Sequence, residues 1–314
     1  MSTTIFPFIQ NIMTKYVMSI TVSIGLIGNI LCCLIFFKQI QSRIVSAVYF
    51  LTLSIFANMY LIWSVTPLFY TLNYTDPQTL SVVYCKMRLY FSHIFGLYTR
   101  YSIVFGCVDL FLITHISFRV RSLSSMKIAY LSTMFMCLFG LIIASHLLIF
   151  LDIRGNMCGL FGFYKFFYPI YQFIIIVVVS SALMSIFGFL AVKNVQQRQI
   201  ALGRLKRKDR DLMRMLVAEV LINIIASVPF AANLLYSSAT ASIVIKTAQR
   251  IEIDAFFSFF SQFMIQFIFI SPFYLFIMSS KSFRHEFIQI MKTYWYKCFR
   301  QPNRVAHINR FTRN

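Results

Sequence analysis

Long apolar runs, separated by short polar stretches that carry cations, recur seven times along this chain. Their cores are residues 17–37, 45–70, 82–116, 128–151, 166–192, 212–236 and 255–278. Each exceeds the ~20 residues that carry a helix across a bilayer. In lipid such a run must be helical, because its backbone groups have no water to bond. The pattern predicts an all-α membrane protein, a bundle of seven transmembrane helices spanning 17–278, after a short extracellular tail at 1–16. Beyond it, Phe283, Phe287, Ile290, Met291 and Tyr294 recur at helical spacing beside Lys281, Arg284, His285 and Lys292. That predicts a short amphipathic helix over 279–300 lying on the membrane surface. Residues 301–314 are polar and basic and read as a disordered tail.

The third run is the one the others are expected to surround. From Cys85 to Asp109 is 24 residues, which at helical rise spans ~36 Å, enough to place the two at opposite faces. Ser92, His93 and Arg100 lie between them. Polar groups in a membrane helix are costly and face protein or water, which predicts a central position for this helix.

Composition sharpens the picture. Of the 314 residues, 59% are hydrophobic and 12% charged, against about 25% charged in soluble domains. The net charge of +20 could indicate nucleic acid, but the cations sit between and after apolar runs, where membrane topology places them. With the N-terminus outside, the cytosolic segments hold 21 of the 29 Lys and Arg residues. The reading is therefore a multi-pass plasma-membrane protein, N-terminus outside and C-terminus cytoplasmic, with no nucleic-acid partner. The basic segment 193–214 suits anionic inner-leaflet lipids or an acidic partner, although topology alone accounts for most of its charge.

Single residues add candidate chemistry. Asn73-Tyr74-Thr75 is a glycosylation sequon in an expected outside loop. Cys85 and Cys158 both fall on the outer side, where a disulfide is permitted; the alternative is two unrelated thiols. Cys298, beside the amphipathic helix, is a candidate for palmitoylation or an unmodified tail cysteine. No Cys/His metal spacing, HExxH, GxSxG or phosphate-binding loop occurs. No metal, cofactor or enzymatic activity is expected.

These features together resemble the rhodopsin-like G-protein-coupled receptors. The resemblance is carried by the cysteine atop the third span and another in the second outer loop. It is carried also by Gly28-Asn29, by prolines at Pro67, Pro169, Pro229 and Pro272, by Asp109 ending the third span, and by SPFYLF followed by SSKSFRHE. It covers about residues 16–300. The departures place the chain with divergent receptors of the invertebrate orphan type. Leu110 and Phe111 stand where the family has Arg and Tyr after Asp109, and Asn58 or Ala57 replaces the second-span Asp. Ser227 replaces a sixth-span Trp, Ser271 replaces the Asn before Pro272, Leu275 replaces a Tyr, and the fourth span has no Trp. Loss of the second-span Asp implies weak or absent sodium modulation. With Leu110 in place of Arg, Asp109 is expected to find another partner, among Arg119, Arg121 or the basic run before the sixth span.

The resemblance implies an extracellular ligand bound in the outer half of the bundle, and a heterotrimeric G protein engaged as span six swings outward about Pro229. Candidate ligand contacts are Ser92, His93, Gly96, Tyr171, Gln172, Phe230, Asn233, Phe257 and Ser261. The absence of an acid near Ser92 argues against an amine and for a peptide, lipid or neutral small molecule. His93 reads first as a hydrogen-bonded core histidine. Arg100 lies ~22 Å below Cys85 at helical rise, and Glu219 is the only acid well inside another span. An Arg100–Glu219 ion pair is the expectation, with bonding of Arg100 to backbone carbonyls as the alternative. Asp109, Leu110, Phe111, Arg100, Glu219, Pro229, Ser271 and Pro272 form the candidate switch set. Two rival functions remain: a non-coupling heptahelical decoy or scaffold, favoured by Leu110, and a channel or transporter. The latter predicts internal symmetry or a polar stripe, and neither is visible.

Overall fold

The computed structural model describes residues 5–155, 157–202, 207–240 and 246–299. Seven helices in it are long and apolar enough to cross a membrane: Ile5–Gln41, Ser46–Tyr70, Val82–Thr114, Met126–Phe150, Tyr164–Gln197, Arg210–Ala239 and Ala248–Ile270. They are called spans one to seven below. Span one begins at Ile5, well ahead of the apolar core that starts at 17, so most of the expected N-terminal tail is helix. The middle of the basic segment and residues 300–314 lie outside the described residues.

Span three is the axis of the bundle. In its most apolar window 67% of residues are buried, against 22% for span four and 17% for span five. Its buried residues run from Cys85 to Thr114 and include the charged Arg88, Arg100 and Asp109. The outer faces of spans four and five present Leu131, Phe135, Ile142, Phe189 and similar side chains. An apolar exterior of this kind is what a lipid-facing helix needs.

Several spans are not uniform α-helices. Each widens into a π-helical turn, at Met13–Met18 in span one, Leu61–Val65 in span two and Phe173–Val179 in span five. The last two lie beside Pro67 and Pro169. Proline removes one rung of the i→i−4 ladder, and a wider turn is one way for a helix to absorb the loss. Span seven breaks outright at Ser271 and resumes as Pro272–Ser279.

The packing relies on small residues and aromatics. A Cβ on Gly28 would stand 2.9 Å from Cβ of Phe273, so this glycine sets the close approach of spans one and seven. The next residue, Asn29, is fully buried and donates to the Phe269 carbonyl at 2.8 Å, just before the Pro272 break. Farther along, Phe36, Phe50, Phe276 and Phe283 pack mostly edge-on or tilted, with ring centroids 5.0–5.7 Å apart. They join spans one, two and seven to the final helix, Lys281–Phe299.

That final helix corresponds to the expected amphipathic segment. Phe283 and Ile290 are buried and Phe287 packs against the same core, while Met291 is exposed. Its start is fixed by two caps. Ser280 Oγ accepts the Phe283 N–H at 3.1 Å, and Asp211, from the beginning of span six, accepts the Ser282 N–H at 3.0 Å. Gln39 of span one donates to Glu286 at 2.7 Å. Cys298 lies in this helix, but its side chain falls outside the described residues.

One element was not anticipated. Between spans four and five the chain forms an antiparallel hairpin, β1 (Leu151–Arg154) and β2 (Met157–Leu160), with Ile153 opposite Cys158. Cys158 is disulfide-bonded to Cys85 at the head of span three, with Cα atoms 5.8 Å apart. The bridge ties the hairpin to one end of the bundle, called the hairpin end below. Asn73 is exposed at that same end.

Candidate functional site

A cavity of roughly 200 Å³ lies inside the bundle toward the hairpin end. One wall is span three: Ser92, Gly96 and Arg100 follow at four-residue steps, the spacing of one helical face, and His93 lies three residues before Gly96 on its edge. Gly96 leaves the space open, since a Cβ there would meet only the rings of Tyr60 and Phe269 at 3.7 and 3.9 Å. Those two rings stack on each other with centroids 3.7 Å apart. They join span two to span seven and line the cavity beside Gly96 of span three.

The upper wall is a network of histidine and tyrosine. Both ring nitrogens of His93 are engaged, Nε2 with the Tyr171 hydroxyl at 3.2 Å and Nδ1 with that of Tyr168 at 3.4 Å. Gln172 donates to the Tyr168 hydroxyl at 2.8 Å. His146 of span four bonds Tyr164 and packs edge-on against Tyr171, ring centroids 4.7 Å apart. His93 is thus the hydrogen-bonded core histidine that sequence favours, and it also faces the cavity. Above it, Ser64 donates to Ser92 at 2.6 Å, and the buried Arg88 reaches the Ser64 carbonyl at 3.3 Å and Asp76 at 3.6 Å.

Arg100 forms the floor. It is 2% exposed, and its Nη1 donates to the Ile176 carbonyl at 3.0 Å and to Ser227 Oγ at 3.2 Å. The Ile176 carbonyl belongs to the π-helical turn of span five. Ser227 lies two residues before Pro229 in span six. One guanidinium therefore joins spans three, five and six, at the π-helical turn of span five and two residues before Pro229 in the continuous helix of span six.

The expected Arg100–Glu219 ion pair is not formed. Arg100 is level with Ser227, and Glu219 is eight residues earlier, ~12 Å along the helix axis. The carboxylate of Glu219 is fully buried with neither oxygen bonded to a protein group. Among the described residues no carboxylate lies within ion-pair distance of Arg100; the pairs present are Arg88–Asp76, Arg154–Asp152 and Lys246–Asp254. The alternative, bonding to a backbone carbonyl, is what the structure has.

Of the nine candidate contacts, Ser92, His93, Gly96, Gln172 and Phe230 line the cavity. Tyr171 stands behind His93. Asn233 and Ser261 are buried outside the lining, and Ser261 bonds back to the Ser258 carbonyl of its own helix. Phe257 is half-buried and also outside it. Sequence reasoning missed Tyr60, Tyr168, Gln262 and Phe269. Tyr168 and Tyr60 had a signal in hand, since each is within a turn or two of a helix proline, where the face of a span changes.

At the opposite end, among the described residues, Asp109 pairs with neither Arg119 nor Arg121, and the middle of the basic run lies outside them. Asp109 is 3% exposed and accepts from Ser46 Oγ at 2.5 Å and Ser124 Oγ at 2.6 Å. Two short hydroxyls reach a buried carboxylate without bringing a second charge with them. Leu110 is 1% exposed and packed in the apolar core, while Phe111 packs against Phe187 at 5.9 Å. A second, apolar cavity of roughly 210 Å³ is lined by Leu110, Cys107, Met184 and Leu216. Ser271 Oγ is buried with no protein partner beside the Pro272 break.

No protein-family model matches this sequence, and no curated protein matches it. The chain is a multi-pass membrane bundle with a disulfide-tethered hairpin beside an internal, mostly apolar cavity that a few polar side chains border.

Proposed function

We propose that this chain is a cell-surface receptor of the rhodopsin-like type, with its hairpin end outside the cell and its basic end in the cytosol. A ligand entering the cavity between spans two, three, five, six and seven biases the position of span six, and a heterotrimeric G protein reads that position at the cytosolic end. The observation that carries this reading is the Arg100 junction. The floor of the cavity is bonded at once to the π-helical turn of span five and to span six two residues before Pro229. A ligand that alters Arg100 acts directly on the place where span six lacks a backbone bond. Allosteric coupling needs such an element, one whose arrangement both sites can bias.

The test is G-protein activation in cells, scored against a panel of Gα subunits, with wild type and Pro229→Ala at equal surface expression. Activation by wild type, reduced in Pro229→Ala, supports the reading. Silence of the wild type toward every Gα subunit, with normal surface expression, rejects it. One observation favours a second reading, a non-coupling scaffold or decoy. Leu110 is packed into the apolar core where the family's arginine meets the G protein. The same silence is its expected result.

A further inference from the structure

Burying a guanidinium inside a membrane bundle is unfavourable unless its charge is balanced. Arg100 is 2% exposed, yet its two partners among the described residues, the Ile176 carbonyl and the Ser227 hydroxyl, are both neutral. They orient the group without neutralising it. Both bonds leave from Nη1, and a guanidinium carries five N–H donors in a planar fork. Arg100 also borders the cavity. Of the acids in the bundle interior, Glu219 is ~12 Å away along span six and Asp109 is committed to two serines at the other end.

From this geometry we infer that the cavity binds a small organic monocarboxylate, whose carboxylate pairs with Arg100 at the floor and whose apolar body lies against the Tyr60–Phe269 stack. The inference deepens the receptor reading and rests on it for its physiological sense, and it replaces the expectation of a peptide, lipid or neutral small molecule. Carboxylate and guanidinium match in shape, so two parallel N–H···O bonds can form. Phe230 and Ile265 complete an apolar wall around the remaining space. One cation favours one negative charge. A dianion such as a phosphate ester would need a second donor cation, and both ring nitrogens of His93 are already engaged by tyrosines. Cationic amines are repelled by Arg100 and meet no acid on the lining. The cavity is also below the ~300–1,000 Å³ of pockets that take drug-sized molecules, which limits the ligand to a few carbons or a single ring.

The experiment uses the purified full-length chain in lipid nanodiscs and reads thermal unfolding. The probes are butyrate, hexanoate, benzoate and phenylacetate, each beside its uncharged primary amide at equal concentration. A chloride-for-sulfate exchange is run separately. The expected result is a rise of on the order of 3 °C with at least one acid at saturation and none with its amide. Arg100→Gln removes that rise, and so does Gly96→Leu, which fills the cavity but keeps the charge. Four results would each overturn the inference: equal shifts from acid and amide, shifts that survive in both variants, a full shift from chloride with none added by any acid, or no shift from any acid. The acid–amide comparison is made on the wild type, so it stands even where a variant does not fold. The two readings fail separately. A carboxylate shift in a chain that activates no G protein keeps this inference and rejects coupling, and coupling without a carboxylate shift does the reverse.

Discussion

Asp109 offers the sharpest test of how charge is managed in this bundle. Its carboxylate is 3% exposed and accepts one hydroxyl from Ser46 at 2.5 Å and one from Ser124 at 2.6 Å. A hydrogen bond to a charged group contributes about 1.5–3 kcal/mol when one partner is removed. Ser46 is 1% exposed, so Ser46→Ala leaves one carboxylate oxygen buried and unsatisfied, and its cost should fall near 2 kcal/mol. Ser124 is half-buried, so water can replace part of the lost bond, and Ser124→Ala should cost about 1.5 kcal/mol. Arg119→Ala and Arg121→Ala should cost no more than about 0.5 kcal/mol, the usual range for surface changes. The measurement is reversible unfolding in mixed micelles, with all four variants and the Asp109→Asn/Ser46→Ala double-mutant cycle. Coupling below about 0.5 kcal/mol between Asp109 and Ser46, or an arginine variant as costly as Ser46→Ala, would refute the assignment and restore a cation as the partner.

Three further outcomes follow from the packing and the topology. Gly28→Val forces side-chain atoms into Phe273 and should destabilise by about 1–3 kcal/mol, as overpacking does, measured in the same unfolding assay. Asp211→Ala removes a cap from the final helix and should cost about 1 kcal/mol, with faster hydrogen exchange at residues 281–284 and little change elsewhere. With the hairpin end outside, the exposed Asn73 sequon should carry glycan, so Asn73→Gln should abolish a mobility shift sensitive to glycosidase; a chain that shows no such shift gives the orientation no support from this site.

The seven spans were legible because lipid leaves a plain mark: runs longer than 20 apolar residues with cations between them. The cysteine pair was legible because both members fell on one side of the same topology. The partners of the buried charges were not. An opposite charge is the natural expectation for Arg100 and for Asp109, because acids and bases are scarce inside the spans. Both found neutral groups instead, a carbonyl and three serine hydroxyls. Serine occurs throughout the chain and signals no partner by itself. The cavity lining was half legible. Ser92, His93, Gly96 and Gln172 follow from helical spacing, whereas the places of Tyr60 and Phe269 depend on irregular turns near Pro67 and Pro272 whose geometry the residues alone do not specify.

The cap that Asp211 lends to the final helix has a consequence for the energetics of opening. Asp211 lies at the root of span six, at the end opposite the hairpin, and Ser282 lies in the first turn of a helix anchored to span one through Gln39 and Glu286. If the root of span six swings outward, it carries the carboxylate away from the Ser282 N–H. The closed arrangement then holds a bond that the open one lacks, and a bond of about 1 kcal/mol biases the two populations roughly fivefold toward closed. The same residue that caps a helix would thus act as a spring that resists outward movement of span six.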